Sequence, residues 1–261
     1  MIVETIMSSR FCKPIQVLLN YLYVLVFRVD LTEHADLTSY QSLQDLFTRR
    51  LDNSSTRFSK NKQEVISPVD GVLTHQGIIK SKSLFQIKGH KYSLKRLLSD
   101  AISLSRLEGG RYFNLYLSPK NYHHYHAPCD LNVQRAIFIP GKCYPVNNFF
   151  LRFKKNLFVE NKRVVLECKV NDKLVYLVFI GALNVGGICF NFDRNIANLK
   201  EQKVISYKKQ IDIKKGEDIG YFKLGSTVVM IFEKGLLSVS EKKTNLEVNF
   251  GDVLGMKNGK V

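Results

Sequence analysis

Gly225-Ser226-Thr227-Val228-Val229-Met230-Ile231-Phe232 decides the fold. A serine behind a glycine opens an apolar run that reads as a buried strand. Apolar or alternating segments recur at 112–117, 136–139, 164–170, 174–180, 187–192 and 236–239. Glycine turns such as Lys215-Gly216-Glu217 separate the later ones. One short helix is predicted among them, over 93–98. Upstream of residue 65 the pattern is helical instead. Helices first and strands afterwards predict an α+β chain, with N-terminal helices followed by a largely antiparallel β domain over 65–261.

The N-terminal segment, 1–52, carries two helical patterns. Residues 15–27 are apolar except for Gln16 and Asn20, a run of 13 residues. Spanning a bilayer takes about 20 residues. No small-residue cleavage site follows, since Arg28-Val29-Asp30 comes next. Ile15, Leu18, Leu19, Leu22, Leu25 and Val26 share one helical face, and Tyr21 and Tyr23 add rings suited to a headgroup region. The pattern fits a helix lying in a membrane interface and also a helix packed on the protein's own core. Thr38-Ser39-Tyr40-Gln41 resembles a capping box ahead of Leu43, Leu46, Phe47 and Leu51, which predicts a second helix ending before Asn53. The polar stretch 52–64 reads as a linker.

At 261 residues, with 45% hydrophobic and 24% charged side chains, the chain suits one globular domain with a small appendage and not a disordered segment. The net charge of +16 is the outlier, and Lys and Arg concentrate over 152–173 and 200–215. Such an excess serves nucleic acid, an anionic membrane surface or plain solubility. No nucleic-acid-binding motif accompanies it, so no nucleic-acid partner is expected. The five cysteines (Cys12, Cys129, Cys143, Cys168 and Cys189) follow no paired spacing, which argues for reduced thiols in a cytosolic compartment. Cys168 and Cys189 sit in strand-like runs and read as core residues.

Three strings carry candidate chemistry: Ser67-Pro68-Val69-Asp70-Gly71, Tyr122-His123-His124-Tyr125-His126-Ala127-Pro128 and Leu224-Gly225-Ser226-Thr227. Together they supply an acid, a histidine and a serine, the parts that activate a hydroxyl nucleophile. A hydrolase presents its serine on a tight turn such as G-x-S-x-G. Ser226 opens a strand instead, and its nearest carbonyl is that of Gly225, in its own backbone. The chain is thus a candidate for its own first substrate. The histidine geometry stays open: on a helix or turn His123 and His126 share a face, whereas on a strand His124 and His126 do. His123-x-x-His126-x-x-Cys129, with Asp130 adjacent, also offers metal ligands. No second cluster matches it and Pro128 constrains the backbone, so no metal is expected. Asp70-Gly71 alone is an ordinary turn pair. His34, His75 and His90 are isolated and read as structural.

In this order and spacing the three strings resemble the phosphatidylserine decarboxylase family, the pyruvoyl-dependent enzymes that make phosphatidylethanolamine. Gln86-Ile87-Lys88-Gly89 with Tyr92-Ser93-Leu94, Gly141 with Pro145-Val146-Asn147, and Gly181-Ala182 with Val185-Gly186 resemble further landmarks. The likeness runs from about residue 40 to the C-terminus, and the compact length resembles the short bacterial form. It implies a β-sandwich or barrel-like core and self-cleavage between Gly225 and Ser226, giving a β chain of 1–225 and an α chain of 226–261. The Ser226 hydroxyl would attack the Gly225 carbonyl. The ester would eliminate to dehydroalanine, and hydrolysis would leave a pyruvoyl group as covalent cofactor. Glycine at 225 suits such an attack because it tolerates strained dihedrals. The resemblance implies His126 as the base and Asp70 as the group that orients its imidazole. His123 is implied as proton donor after CO₂ leaves a Schiff base between the pyruvoyl carbonyl and the substrate amine.

Phosphatidylserine is the implied substrate. An anionic membrane surface, at the cytoplasmic face of the bacterial cell membrane, is the implied peripheral docking partner, and the lipid substrate favours the interfacial reading of residues 15–27. The α and β chains of one precursor stay partners, and a homodimer is left open. Two positions depart from the family. Many members carry Arg where this chain has His124 and Asp where it has Asn121. No role therefore carries over to His124, which reads as a surface or supporting residue, and no carboxylate is left at 121 to orient His123. Two alternatives stand beside this reading. One is a pyruvoyl decarboxylase of another amino substrate, indifferent to membranes. The other is a non-catalytic membrane-binding protein whose Ser226 stays intact.

Overall fold

From Ser226 onward, Val228, Met230 and Phe232 point to one face of their strand and Val229 and Ile231 to the other. Both sets are fully buried, so the strand lies at the centre of the molecule. The computed structural model describes residues 2–80, 83–87, 90–99, 102, 104–145, 157–182, 187–223, 225–239 and 244–259. Helices and strands are numbered along the chain. The central strand is β13 (Ser226–Phe232), in an eight-stranded antiparallel sheet. On one side of it run β9 (Lys173–Gly181), β8 (Arg163–Val170), β7 (Leu131–Ile139) and β11 (Lys203–Ile213). On the other run β5 (Arg111–Leu117), β2 (Gly71–Ile78) and β15 (Leu246–Val248).

Two cores cover the two faces. The first joins Leu115, Phe179, Val228 and Met230 of the large sheet to Tyr125, Phe190 and Phe222 of a three-stranded sheet. That small sheet is ordered β10 (Ile188–Phe190), β12 (Asp218–Phe222), β6 (His124–His126). A second one, β1 (Glu64–Ile66), β16 (Val253–Lys257) and β14 (Leu237–Ser238), adds Val65 and Leu237 to this core. The other face packs on α4 (Leu94–Leu98), α5 (Leu157–Glu160) and Tyr92 of the hairpin β3 (Ser83–Ile87) and β4 (His90–Ser93). Burying each large apolar side chain is worth about 1.5–3 kcal/mol, so a strand clad on both faces is held in place. The α+β, antiparallel expectation holds. The barrel-like part does not: among the described residues β11 pairs only with β7 and β15 only with β2, so the sheet is open. Lysines along β11 blunt one open edge.

At the N-terminus, α1 (Ile2–Ser8) leads to α2 (Lys13–Phe27), which ends at Arg28 in the left-handed conformation. The helix is amphipathic in the reverse of the usual sense. Its buried residues are Gln16 and Asn20. Gln16 donates to the Asn20 side chain at 2.8 Å, and Asn20 donates to the Tyr40 carbonyl at 3.0 Å. Ile15, Leu18, Leu22, Leu25 and Val26 face outward, Val26 being 70% exposed. No described helix is long and apolar enough to cross a membrane.

The second predicted helix divides in two. Asp36 caps a 3-10 turn over Leu37–Ser39, and Ser42, not Thr38, caps α3 (Leu43–Phe47). The Asp36 side chain competes for the Thr38 N–H and so takes the cap. The stretch read as a linker holds a further 3-10 turn, Ser54–Arg57, and Arg57 pairs with Asp70.

Candidate active site

All three strings meet at one end of the large sheet. Ser226 opens β13 opposite Leu117 of β5 and Gly181 of β9. Asp70 immediately precedes β2, the strand on the far side of β5. At strand spacings near 4.8 Å, those two flanking strands are about 10 Å apart. Gly71 is required there, because a Cβ would lie 2.3 Å from the Tyr116 carbonyl oxygen. By alternation the Ser226 side chain points to the face shared with Val228 and Met230, and β6 covers that face. His126 N–H donates to the Pro68 carbonyl at 2.8 Å, and Phe222 N–H to the His123 carbonyl at 3.0 Å. The strand alternative for the histidine string is thus the one the fold adopts. His124 and His126 both lie against the Tyr122 ring, with centroids 5.3 and 5.7 Å away.

His126 is buried and held at both ring nitrogens. Nδ1 meets the Gly216 carbonyl at 2.9 Å, and a carbonyl only accepts, so Nδ1 carries the hydrogen. Nε2 is then the acceptor for the Tyr122 hydroxyl at 2.9 Å. Burial pushes the imidazole down to about 4, so at neutral pH it is neutral and basic at Nε2. Gly216 stands at φ 79°, and a Cβ there would strike the Phe58 ring, so glycine alone presents this carbonyl. The group on the His126 Nδ1 is thus the Gly216 carbonyl and not the Asp70 carboxylate. Asp70 instead accepts from Arg57 at 2.8 Å and from the Phe250 N–H at 2.7 Å. The Phe250 ring stacks on His126 at 3.8 Å, so Asp70 reaches the imidazole through Phe250.

His123 is fully buried and packs on Phe47 of α3, with ring centroids 3.9 Å apart. Its Nδ1 donates to the Asn121 backbone carbonyl at 2.8 Å, and Nε2 is buried with no partner. Burial first, and then the Arg49 charge against the bond to Asn121, hold it at about 3. The backbone of residue 121 therefore orients the ring. The Asn121 side chain has another task, accepting from the Ser118 N–H and hydroxyl at 2.9 and 2.7 Å. His124 is no surface residue, being 1% exposed.

Ser226 Oγ is buried without a hydrogen-bond partner, as is Thr227 Oγ1. Leaving such a hydroxyl unsatisfied costs about 1–3 kcal/mol, which marks the serine as placed for something other than stability. Gly225 does not adopt a positive φ, and a Cβ there would meet nothing nearer than the Leu117 carbonyl oxygen at 4.0 Å. The chain enters β13 directly from it. Leu224, Lys88-Gly89, Val146-Asn147 and Val185-Gly186 lie outside the described residues.

The family model described as phosphatidylserine decarboxylase matches residues 43–256. The chain belongs to that family. Among its relatives, a phosphatidylserine decarboxylase proenzyme of Helicobacter pylori is 39% identical over 255 residues, covering 96% of this chain and 93% of the relative. The Campylobacter jejuni proenzyme is 40% identical over 255 residues, covering 95% and 92%. That of Bacillus mycoides is 32% identical over 237 residues, covering 90% and 84%.

In this member of the phosphatidylserine decarboxylase family, several groups at the site were not singled out by sequence reasoning. Tyr122 and Gly216 stood inside strings already quoted, but nothing in their spacing revealed that both would hold His126. Phe250, Arg57 and Phe47 gave no signal of a place at the site. They reach the site from elements remote in sequence.

Proposed function

We propose that this phosphatidylserine decarboxylase, which converts phosphatidylserine to phosphatidylethanolamine, makes its own reactive carbonyl from Ser226. The observation that carries the proposal is the buried, unpartnered Ser226 Oγ beside the Gly225 carbonyl, at the edge of a core that excludes water. The hydroxyl attacks that carbonyl and the peptide becomes an ester; loss of the Ser226 Cα proton with cleavage of the Cβ–O bond releases residues 1–225 as a carboxylate, and water replaces the nitrogen left on residue 226, which departs as ammonia, leaving the carbonyl at the head of 226–261. A base must take the hydroxyl proton. His126 suits the task, because it is neutral and its Nε2 lone pair already faces a hydroxyl. Asp70 and Gly216 position it.

The resulting pyruvoyl carbonyl supplies an electron sink for loss of CO₂. Residues present fit it: the serine that becomes it is enclosed, and Gly225 leaves space on its carbonyl side. His123 is the proton carrier for turnover. As it stands it accepts a proton at Nε2 and has none there to give. The substrate's phosphate and carboxylate bring negative charge that favours the protonated imidazole, so His123 takes up a proton at Nε2 when substrate binds and gives it to the substrate carbon once CO₂ has left.

The outward apolar face of α2 supports docking on an anionic bilayer. Exposed basic side chains add on the order of 1 kcal/mol each near such a surface. Intact-mass measurement of the purified protein tests the central proposal. Two species matching 1–225 and 226–261 are expected, with the serine-derived end reacting with hydrazide. A single full-length mass in a chain that decarboxylates would overturn it.

A further inference from the structure

His124 is enclosed on four sides by groups that suit a cation. In the ring plane, Nδ1 lies 2.9 Å from Asp218 Oδ2 and Nε2 lies 3.1 Å from the Thr48 carbonyl oxygen. Above and below lie two tyrosine rings, Tyr122 at 5.3 Å and 7° and Tyr221 at 5.2 Å and 30°. Aromatic faces at that range attract positive charge. A carbonyl never donates a hydrogen. Burial raises the Asp218 pKa, but the bond and charge of His124 outweigh it and hold the carboxyl below its ordinary value, so Asp218 is ionised and does not donate either. Both ring nitrogens therefore carry hydrogens.

From this geometry we infer that His124, donating from both ring nitrogens, positions the reaction centre by tying α3 to the histidine strand. The inference rests on His123 and the Gly225–Ser226 bond forming that centre. Thr48 ends α3, and its carbonyl is one that the short helix leaves unpaired. The same helix places Phe47 on the His123 ring at 3.9 Å. It also sends the Gln44 amide to the Lys223 carbonyl at 2.8 Å, two residues before Gly225. Removing one proton from His124 would set a lone pair against an oxygen acceptor in a buried site, and α3 would lose its seat. Arginine is the residue that many family members carry here, and it could not lose that proton. In this chain the tie is titratable. Groups facing His124 from every side are Asp218 and Tyr221 of β12, Tyr122, the neighbouring His123 and His126, and Arg50 beyond Asp218. Asp218 Oδ1 is buried and unpartnered, an acceptor that an arginine fork would also satisfy.

Two measurements test the inference independently. Nitrogen NMR of histidine-labelled Ser226→Ala protein, which keeps the uncleaved chain, reads the proton state without any catalysis. At neutral pH both nitrogens of one imidazole, identified by its loss in His124→Gln, should show the imidazolium signature. A neutral tautomer would overturn the protonation. The second measurement is the rate of chain cleavage against pH. Wild type should lose about tenfold per pH unit above the pH at which His124 gives up its proton, and His124→Arg should lack that alkaline limb. The same limb in both would overturn the positioning role. If His124→Arg does not fold, Asp218→Asn serves in its place. Without the carboxylate the imidazolium signal should vanish at a lower pH than in wild type, and an unchanged pH would refute the pairing.

Discussion

Replacing Leu18 and Leu25 by alanine separates a membrane face from a packed one. Leu18 is 57% exposed and Leu25 is 60% exposed, so each has somewhat more than half of its surface free for a new partner. Truncation to alanine removes about three methylene equivalents, worth about 0.8 kcal/mol each when fully transferred from water. Scaled by the exposed share, that is about 1.4 kcal/mol per leucine and roughly 2.5–3 kcal/mol for the pair. Every 1.4 kcal/mol is tenfold, so binding to anionic vesicles should weaken by roughly 50- to 100-fold. Folding stability should change little, since both side chains point away from the core. The converse is Asn20→Leu on the buried face. It strips the Tyr40 carbonyl and Gln16 of their partner. Leaving them unpaired should cost about 1–3 kcal/mol of stability. Vesicle sedimentation and thermal unfolding are run on both variants. If the leucine pair lowers Tm and leaves sedimentation unchanged, the face is covered by protein and the argument fails.

Ser226→Ala should run as one uncleaved chain with no decarboxylase activity, as seen on a denaturing gel and by product assay. His126→Ala should slow appearance of the 226–261 chain at least a hundredfold, in line with the usual value of a general base. Normal cleavage in that variant would remove His126 from the step. His123→Ala should cleave normally and decarboxylate poorly, and failure to cleave would show that both histidines serve maturation. Folding should weaken in acid. His123 and His126 lie at about 3 and about 4, below the ordinary 6.5, because burial disfavours their charged forms. Their contribution is complete above pH 6.5 and is lost as pH falls toward those values, at no more than about 1.4 kcal/mol per pH unit for each ring. Urea titrations of Ser226→Ala between pH 7 and 4 should show that slope, reduced in His123→Phe.

Sequence alone determined the central strand, the neighbouring strands β5, β9 and β8 and the α4 turn, because their apolar runs supply side chains to a core on both faces of the sheet. It also singled out three strings as candidates for the chemistry, through residue types that no packing argument needs, and the fold brings those strings to one end of the large sheet. It did not reveal β11, whose lysines read as a basic run because an edge strand buries only one face. Nor did it reveal which way α2 turns. Its apolar stripe is equally legible facing in or out, and the buried Gln16–Asn20 pair decides it. Apart from the Asn121 carbonyl and the Tyr122 hydroxyl, the partners of the three histidines were decided by tertiary structure. Gly216, Phe250, Thr48 and Asp218 are each distant in sequence from the residues they hold. Hydrogen bonds between such elements depend on sheet register and crossing, which leave no periodic trace in the chain.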